Sequence, residues 1–281
     1  MTPVAEEILH LEPLIRLSVF LGILALMALW ESLAERRERS VPRTWRWPNN
    51  FGVAALDTLV GRVIAPTGAL GFALLAEAHG LGLFHHLRWP AWLEVVTGVV
   101  AMDLAIYLQH RAFHYVPALW RLHRMHHADL DVDVTTGARF HPLEILMSLG
   151  VKFVVIVSLG APASSVLLFE ILLNATSMFN HSNVRLPQAV EGILRWFVVT
   201  PDMHRVHHSI LRRETDSNFG FNLPWWDRLF GTYRGQPEAG HEGMTLGIEQ
   251  FRDPKELRLD RMLTQPFRDD RFGSNESSTA V

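Results

Sequence analysis

Long apolar runs are the feature that most limits what this chain can fold into. Five stand out, at about residues 15–33, 52–78, 92–115, 143–159 and 164–180. A helix needs roughly 20 apolar residues to cross the hydrocarbon of a bilayer. There every backbone N–H and C=O must be satisfied within the protein, and a helix does this within one segment. The pattern predicts an all-α fold, a polytopic membrane helical bundle with four to five membrane segments. The first run, containing FLGILALMALW, lacks the basic start and small-residue cleavage site of a signal peptide, and reads as a retained helix. The second carries Asp57 and Arg62, so it either pairs them internally or is partly embedded. GAPASS, between the fourth and fifth, reads as a tight helical turn. The competing reading is a soluble all-α protein with buried helices. Mean hydropathy is only +0.11 because a very apolar first two-thirds is averaged with a polar remainder.

Lys and Arg in short loops set orientation. The segment after the first run carries Arg36, Arg37, Arg39, Arg43 and Arg46, whereas the chain before Arg16 has neither residue type. This places the Arg-rich link in the cytosol and the N-terminus outside. Five crossings then put residues 121–141, and everything after His181, in the cytosol. Residues 186–213 read as an amphipathic helix lying along the membrane surface. The Ser-rich tail at 269–281 reads as disordered.

The soluble part is dominated by histidine. The chain has 15 histidines, no cysteine and a net charge of -3. Without cysteine there are no disulfides, thiolate ligands or internal iron–sulfur cluster. No global basic field suggests a nucleic-acid partner. His110 and His114 form an HxxxH pair at the cytosolic end of the third run. His123, His126 and His127 form HxxHH, and His204, His207 and His208 form a second HxxHH. Residues three and four apart share a helix face, while adjacent residues diverge by about 100°. Adjacent histidines therefore suit two metals better than one. Eight imidazoles exceed the roughly four to six ligands of one first-row ion. The residues thus predict a histidine-ligated dimetal site at the cytosolic ends of the membrane helices.

Other residues are weighed beside these. Glu170, Asn174, Ser177 and His181 form a polar stripe on an apolar helix, and such stripes turn inward in membranes. His181 is thereby a further expected ligand. His141, in RFHPLE, is either a ligand or a group at a helix start where Pro142 fits the first turn. His10, His79, His85, His86 and His241 are expected to stand apart. Asp129, Asp131, Asp133, Glu144 and Asp202 are near enough in sequence to support ligand imidazoles, though each also fits a solvated or capping role. Asp202 in particular reads as a cap for the helix carrying the second HxxHH. Asp103 shares a stripe with His110 but sits about 10 Å along the helix from it, too far for a direct bond. Trp225, Trp226 and Phe230 read as interfacial packing.

Imidazole ligation suits Fe, Zn, Cu and Ni alike. Unactivated lipid C–H bonds need an oxidant of the kind iron and O₂ supply, whereas zinc supports hydrolysis. The HExxH of a zinc protease is missing. Taken together, the residues resemble the fatty acid hydroxylase, or sterol desaturase, superfamily of integral-membrane di-iron enzymes. The resemblance rests on HxxxH at His110–His114, HxxHH at His123–His127 and a later HxxHH at His204–His208. It extends to LWRLHRMHH, RFHPLE, FNHSN, TPDMHRVHHS and WDRLFGTY. It covers about residues 95–234, and the text looks most like bacterial members called sterol desaturase family proteins.

The resemblance implies O₂-dependent hydroxylation or desaturation of a membrane lipid, such as a sterol or fatty acyl chain, by two Fe ions. It implies a four-helix membrane core with a cytosolic helical cap holding the two metals, and an external electron donor, a separate redox protein. Its ligands carry onto His110, His114, His123, His126, His127, His204, His207 and His208, and onto His181. The implied organisation is N-terminal membrane helices at 1–92, a catalytic core at 93–240 and a partly disordered tail at 241–281. The setting is a bacterial inner membrane. A zinc-dependent membrane hydrolase and a non-catalytic metal-binding membrane protein are the alternatives, and a purified sample can carry zinc in either case.

Overall fold

The computed structural model describes residues 3–268, so the tail at 269–281 lies outside the described residues. The chain is all-helical. Among the described residues, four segments are long and apolar enough to cross a membrane: His10–Leu33, Arg43–His86, Ala91–Tyr115 and Pro142–Leu159. The first lies in α1 (Pro3–Leu33), the third is α4 (Ala91–Tyr115) and the fourth is α6 (Pro142–Leu159). A fifth long helix, α7 (Ala163–His181), carries the Glu170–His181 polar stripe where a simple span would be apolar. It still joins the bundle, packing on α1 and α4.

The second segment differs from its expected form. It starts nine residues earlier, as α2 (Arg43–Ile64), breaks at Ala65–Thr67, and resumes as α3 (Gly68–Ala78). Pro66 cannot donate the N–H that would carry the helix on. The freed carbonyl of Pro66 accepts from Arg62 Nη1 at 2.9 Å. Past the break, α3 turns Leu70, Ala73 and Leu74 into an apolar core with Met102 and Ile106 of α4, Ile156 of α6, and Val166 and Phe169 of α7.

Arg62 belongs to an ionic cluster inside this bundle. Glu12 accepts from Arg16 at 2.7 Å and faces Arg62 at 3.5 Å, while Glu170 pairs with both Arg16 and Lys152. Of the two readings for Asp57 and Arg62, internal pairing is not what is found: Arg62 turns instead to Glu12 of α1. Glu170 is 5% exposed, so its charge depends on these partners. Glu170→Gln leaves Arg16 and Lys152 without that carboxylate. The expected cost is about 3 kcal/mol or more, read as a lower unfolding temperature in detergent. An unchanged temperature would rule out a stabilising role for the cluster.

The ends of the helices converge on one side. α4 runs toward the histidines and continues through Pro117 at its first turn into α5 (Pro117–His127). α6 leaves from that region and α7 returns to it. The turn between them uses Gly160 at φ 65°, where a Cβ would meet the Leu81 carbonyl at 2.5 Å. Below the bundle lies a cap containing α8 (Gln188–Leu194), α9 (Pro201–His207), α10 (Arg212–Thr215) and α11 (Trp225–Leu229). The single amphipathic helix expected at 186–213 is therefore three short helices, because Pro201 starts a new one at its first position.

Fully buried Arg46 holds the cap to α2. It pairs with Asp129 at 2.8 Å and with Asp133, and bonds Thr136. Asp131 accepts the N–H groups of Ser40 and Val41, and Glu31 of α1 accepts those of Val134 and Asn183. The three aspartates considered as supports for the histidines thus build the scaffold instead.

Candidate metal centre

The two HxxHH sequences interlock. His110, His114, His123, His127 and His207 form one group, and His126, His181, His204 and His208 form a second. Within each group the ligand-type nitrogens lie within 4.8 Å of one another. Both adjacent pairs are split: His126 and His127 face different groups, as do His207 and His208. This is the divergence that helical geometry dictates for neighbours. The motifs are also used in opposite senses. The outer two histidines of the first motif serve the five-histidine group, and the outer two of the second serve the four-histidine group. All nine expected histidines stand here, including His181.

Hydrogen bonds fix most of the rings. Nδ1 of His110 meets the Phe219 carbonyl at 2.7 Å, that of His126 the Arg139 carbonyl at 3.0 Å, and that of His181 the Ser177 carbonyl at 2.7 Å. Nδ1 of His207 meets the Ser217 carbonyl at 2.7 Å. A carbonyl only accepts, so each of these rings carries its proton on Nδ1 and turns a lone pair inward on Nε2. Two carboxylates do the same work in the five-histidine group. Glu144 accepts from His123 at 2.7 Å, and Asp216 from His114 at 3.2 Å.

The rings are held neutral. His126, His127, His204, His207 and His208 lie well below the usual histidine range, first through burial and then through repulsion by neighbouring imidazoles. Burial pushes His123 down to about 3. Buried ring nitrogens without hydrogen-bond partners include Nε2 of His114, Nε2 of His207 and both nitrogens of His208. Buried polar atoms are rarely left so, and each costs about 1–3 kcal/mol. Metal ions would relieve this cost.

The spacing fits as well. Nε2 atoms approach at 3.0 Å for His110 and His123, 3.2 Å for His123 and His127, 3.1 Å for His126 and His181, and 3.0 Å for His181 and His204. Two nitrogens bound at right angles to one first-row ion, each at about 2.1 Å, stand about 3.0 Å apart. The donor set therefore suits two ions of borderline softness.

On the bundle side the centre is roofed by aromatic rings. Phe140 stacks on His126 at 4.5 Å between centroids, and Phe221 lies 5.0 Å from His110. Both rings belong to the apolar core inside the bundle, so apolar surface is continuous from the membrane helices to the histidines.

Other expected residues fall elsewhere. His141 caps α6 by accepting the Leu143 N–H at 3.2 Å and joins neither group. Asp202 does not cap α9; Thr200 does, and Asp202 pairs with Arg205 and Arg36. His10, His79, His85, His86 and His241 lie outside both groups. Asp103 acts at a distance by accepting from Trp226 Nε1 at 2.8 Å and Leu223 N at 3.3 Å. That loop, closed by Asp227 bonding the N–H groups of Phe219 and Gly220, delivers the Phe219 carbonyl to His110. At Gly220 a Cβ would meet the Leu223 carbonyl at 2.8 Å. Trp226 is thus a structural anchor, Phe230 stacks on Tyr107, and Trp225 is half exposed. Asp216 and Asp227 were not singled out from sequence; Asp227 lies in the WDRLFGTY text that marks the resemblance.

Residues 95–232, which hold all nine histidines, match the fatty acid hydroxylase family model. The chain is 29% identical over 224 residues to the ornithine lipid hydroxylase OlsE of Rhizobium tropici, covering 78% of this chain and 67% of that one. It is 29% identical over 176 residues to the alkylglycerol monooxygenase of Xenopus tropicalis, covering 61% of this chain and 36% of the relative. A fatty acid hydroxylase of Lecanicillium sp, vlmA, is 30% identical over 175 residues, covering 57% of this chain and 48% of the relative. The chain thus spans about a third of the alkylglycerol monooxygenase and about half of vlmA. No solved structure matches it.

Proposed function

We propose, from the premise that the chain belongs to the fatty acid hydroxylase superfamily, that it is a di-iron oxygenase that inserts oxygen into a C–H bond of a membrane lipid. The observation that carries this reading is the pair of convergent neutral histidine groups beneath an apolar roof continuous with the bundle interior. Two bound iron ions would supply the O₂ chemistry that an unactivated C–H bond demands. His110, His114, His123, His127 and His207 would hold one, and His126, His181, His204 and His208 the other.

The chain's own residues do the rest. Phe140 and Phe221 exclude water from the bundle side and present an apolar wall to a hydrocarbon chain. Glu144 and Asp216 orient His123 and His114 and enrich the electron density of those rings. A substrate lying in the bilayer reaches this wall along the bundle, which suits a lipid with a polar head at the membrane surface. The names of the relatives, ornithine lipid hydroxylase and alkylglycerol monooxygenase, favour hydroxylation of such a lipid over its desaturation. The Arg-rich link at 36–46 supports a cytosolic position for the centre.

The test is anaerobic purification followed by metal analysis and oxygen uptake. The expected result is about two irons per chain, with O₂ consumed on adding reductant and lipid extract. Lipids from cells lacking the protein should lose a species heavier by one oxygen atom. Zinc in place of iron, with full activity and no O₂ uptake, would overturn the proposal in favour of hydrolysis.

A further inference from the structure

Hydroxylation by O₂ places one oxygen atom in the C–H bond and releases the other as water, which takes up two electrons and two protons. Nothing among neutral imidazoles, carboxylates and phenyl rings stores those electrons. We propose that they enter the five-histidine group at a surface spot made of Trp120, Arg212 and Asp216, and that their carrier is an acidic one-electron redox protein docking there. This rests on reading the centre as a redox-active metal pair.

Trp120 sits on α5 three residues before His123 and seven before His127, and so shares their helix face. Its ring lies 5.0 Å from that of His114 and 5.4 Å from that of His127, between centroids. It is half-buried, and besides the histidines it packs against the cluster of Ala128, Ile248 and Phe251. The guanidinium of Arg212 covers it at 4.7 Å. Arg212 also donates to Asp216 at 2.7 Å and to the His114 carbonyl at 2.8 Å. The other oxygen of Asp216 accepts from His114. A single arginine, 52% exposed, therefore connects the surface to the centre twice, through an indole stack and through a carboxylate bridge.

The four-histidine group has no comparable outlet among the described residues. Outside the histidines, its aromatic neighbours are Phe140 and Phe221, which face the bundle interior. His126 and His181 hydrogen-bond only backbone carbonyls and other histidines. The two groups touch through stacked rings such as His127 and His208, 4.6 Å apart, so an electron arriving at the first group has a short path to the second.

Charge selects the carrier. Arg212 and Arg213 are both more than half exposed; the equally exposed Glu238 offsets the second, whereas the Asp216 that pairs with Arg212 is only 20% exposed and is turned toward His114. An exposed cation over the conducting ring steers an acidic partner and sets docking by charge. Each encounter passes one electron: the carrier is oxidised and the metal pair reduced, and two encounters complete a turnover.

The experiment mixes iron-loaded protein anaerobically with a reduced plant-type [2Fe–2S] ferredoxin, an acidic probe, and follows ferredoxin absorbance rather than product. Dithionite serves as the small reductant. The second-order rate with ferredoxin is expected to fall as salt is raised, and to drop about tenfold or more in Arg212→Glu. Arg212→Gln, which keeps a donor for Asp216, should fall less but in the same direction. Trp120→Leu should slow transfer while leaving its salt dependence intact. All three should retain their iron and their reduction by dithionite. A ferredoxin rate indifferent to salt and to both Arg212 variants would overturn the inference. So would an unchanged rate combined with lost binding of Arg212→Glu to phosphatidylglycerol vesicles, which would make this arginine a membrane contact. If dithionite fails to reduce even the unmodified protein, the redox-metal reading itself falls, and this inference falls with it.

Discussion

Replacing His126 with alanine should remove one metal from the chain and abolish turnover. His126 is one of four nitrogen donors in its group, and its ring is fixed by the Arg139 carbonyl and by Phe140. Even groups that only orient a ligand typically cost about 10–100-fold in metal affinity or activity when lost. Loss of the ligand itself should exceed that, so a fall of about 1000-fold or more is expected. The metal count should drop from about two per chain to about one, because the five-histidine group keeps its donors. Expression should be mostly intact, since Arg46 and its aspartates hold the cap without His126. His141→Ala is the contrast: it removes a cap worth about 1 kcal/mol and should leave both metals and turnover in place. An active His126→Ala protein with two metals would exclude His126 as a ligand.

The division of labour between the two groups was readable from spacing. On any helix the neighbours His126 and His127 must point apart, and the same holds for His207 and His208. His181 was reachable because a polar stripe on an apolar helix has nowhere to go but inward. Of the residues that support the rings, Glu144 was among the carboxylates weighed from sequence and does meet His123, but the more distant partners were not readable. Asp216 meets His114 from 102 positions away, and the Phe219 carbonyl meets His110 from 109. No local pattern encodes a pairing made by tertiary folding. Sequence proximity was misleading for the aspartates at 129, 131 and 133, which lie beside histidines but turn toward Arg46, Ser40 and Val41. Peptide N–H and guanidinium donors satisfied them better than neutral imidazoles could. The two misplaced helix boundaries share a cause. Pro66 sits in the break after α2 and Pro201 opens α9 at its first position, and neither can donate the N–H that a continuous helix would need there.

The metal-free chain should lose stability steeply as pH falls below about 6.5. His123, His126, His127, His204, His207 and His208 all have folded values below the unfolded one, with burial as the leading cause. Between those values the unfolded chain takes up protons that the folded chain refuses. The stabilisation from neutral burial is therefore present above about 6.5 and lost below it. For His123 the loss continues down to about 3. Each such histidine contributes about 1.4 kcal/mol per pH unit, so six together reach roughly 8 kcal/mol per unit. That is comparable to the entire stability of a typical domain, about 5–15 kcal/mol. Bound metal should oppose this, since a coordinated nitrogen cannot be protonated until the ion leaves. Loaded protein should thus stay folded to lower pH than protein kept in chelator, and its acid unfolding should release metal in the same step. Thermal unfolding followed by tryptophan fluorescence between pH 8 and 5, with and without chelator, reads both effects. Identical curves for the two samples would mean that these histidines hold no metal, and a flat curve without metal would mean that they are not buried neutral.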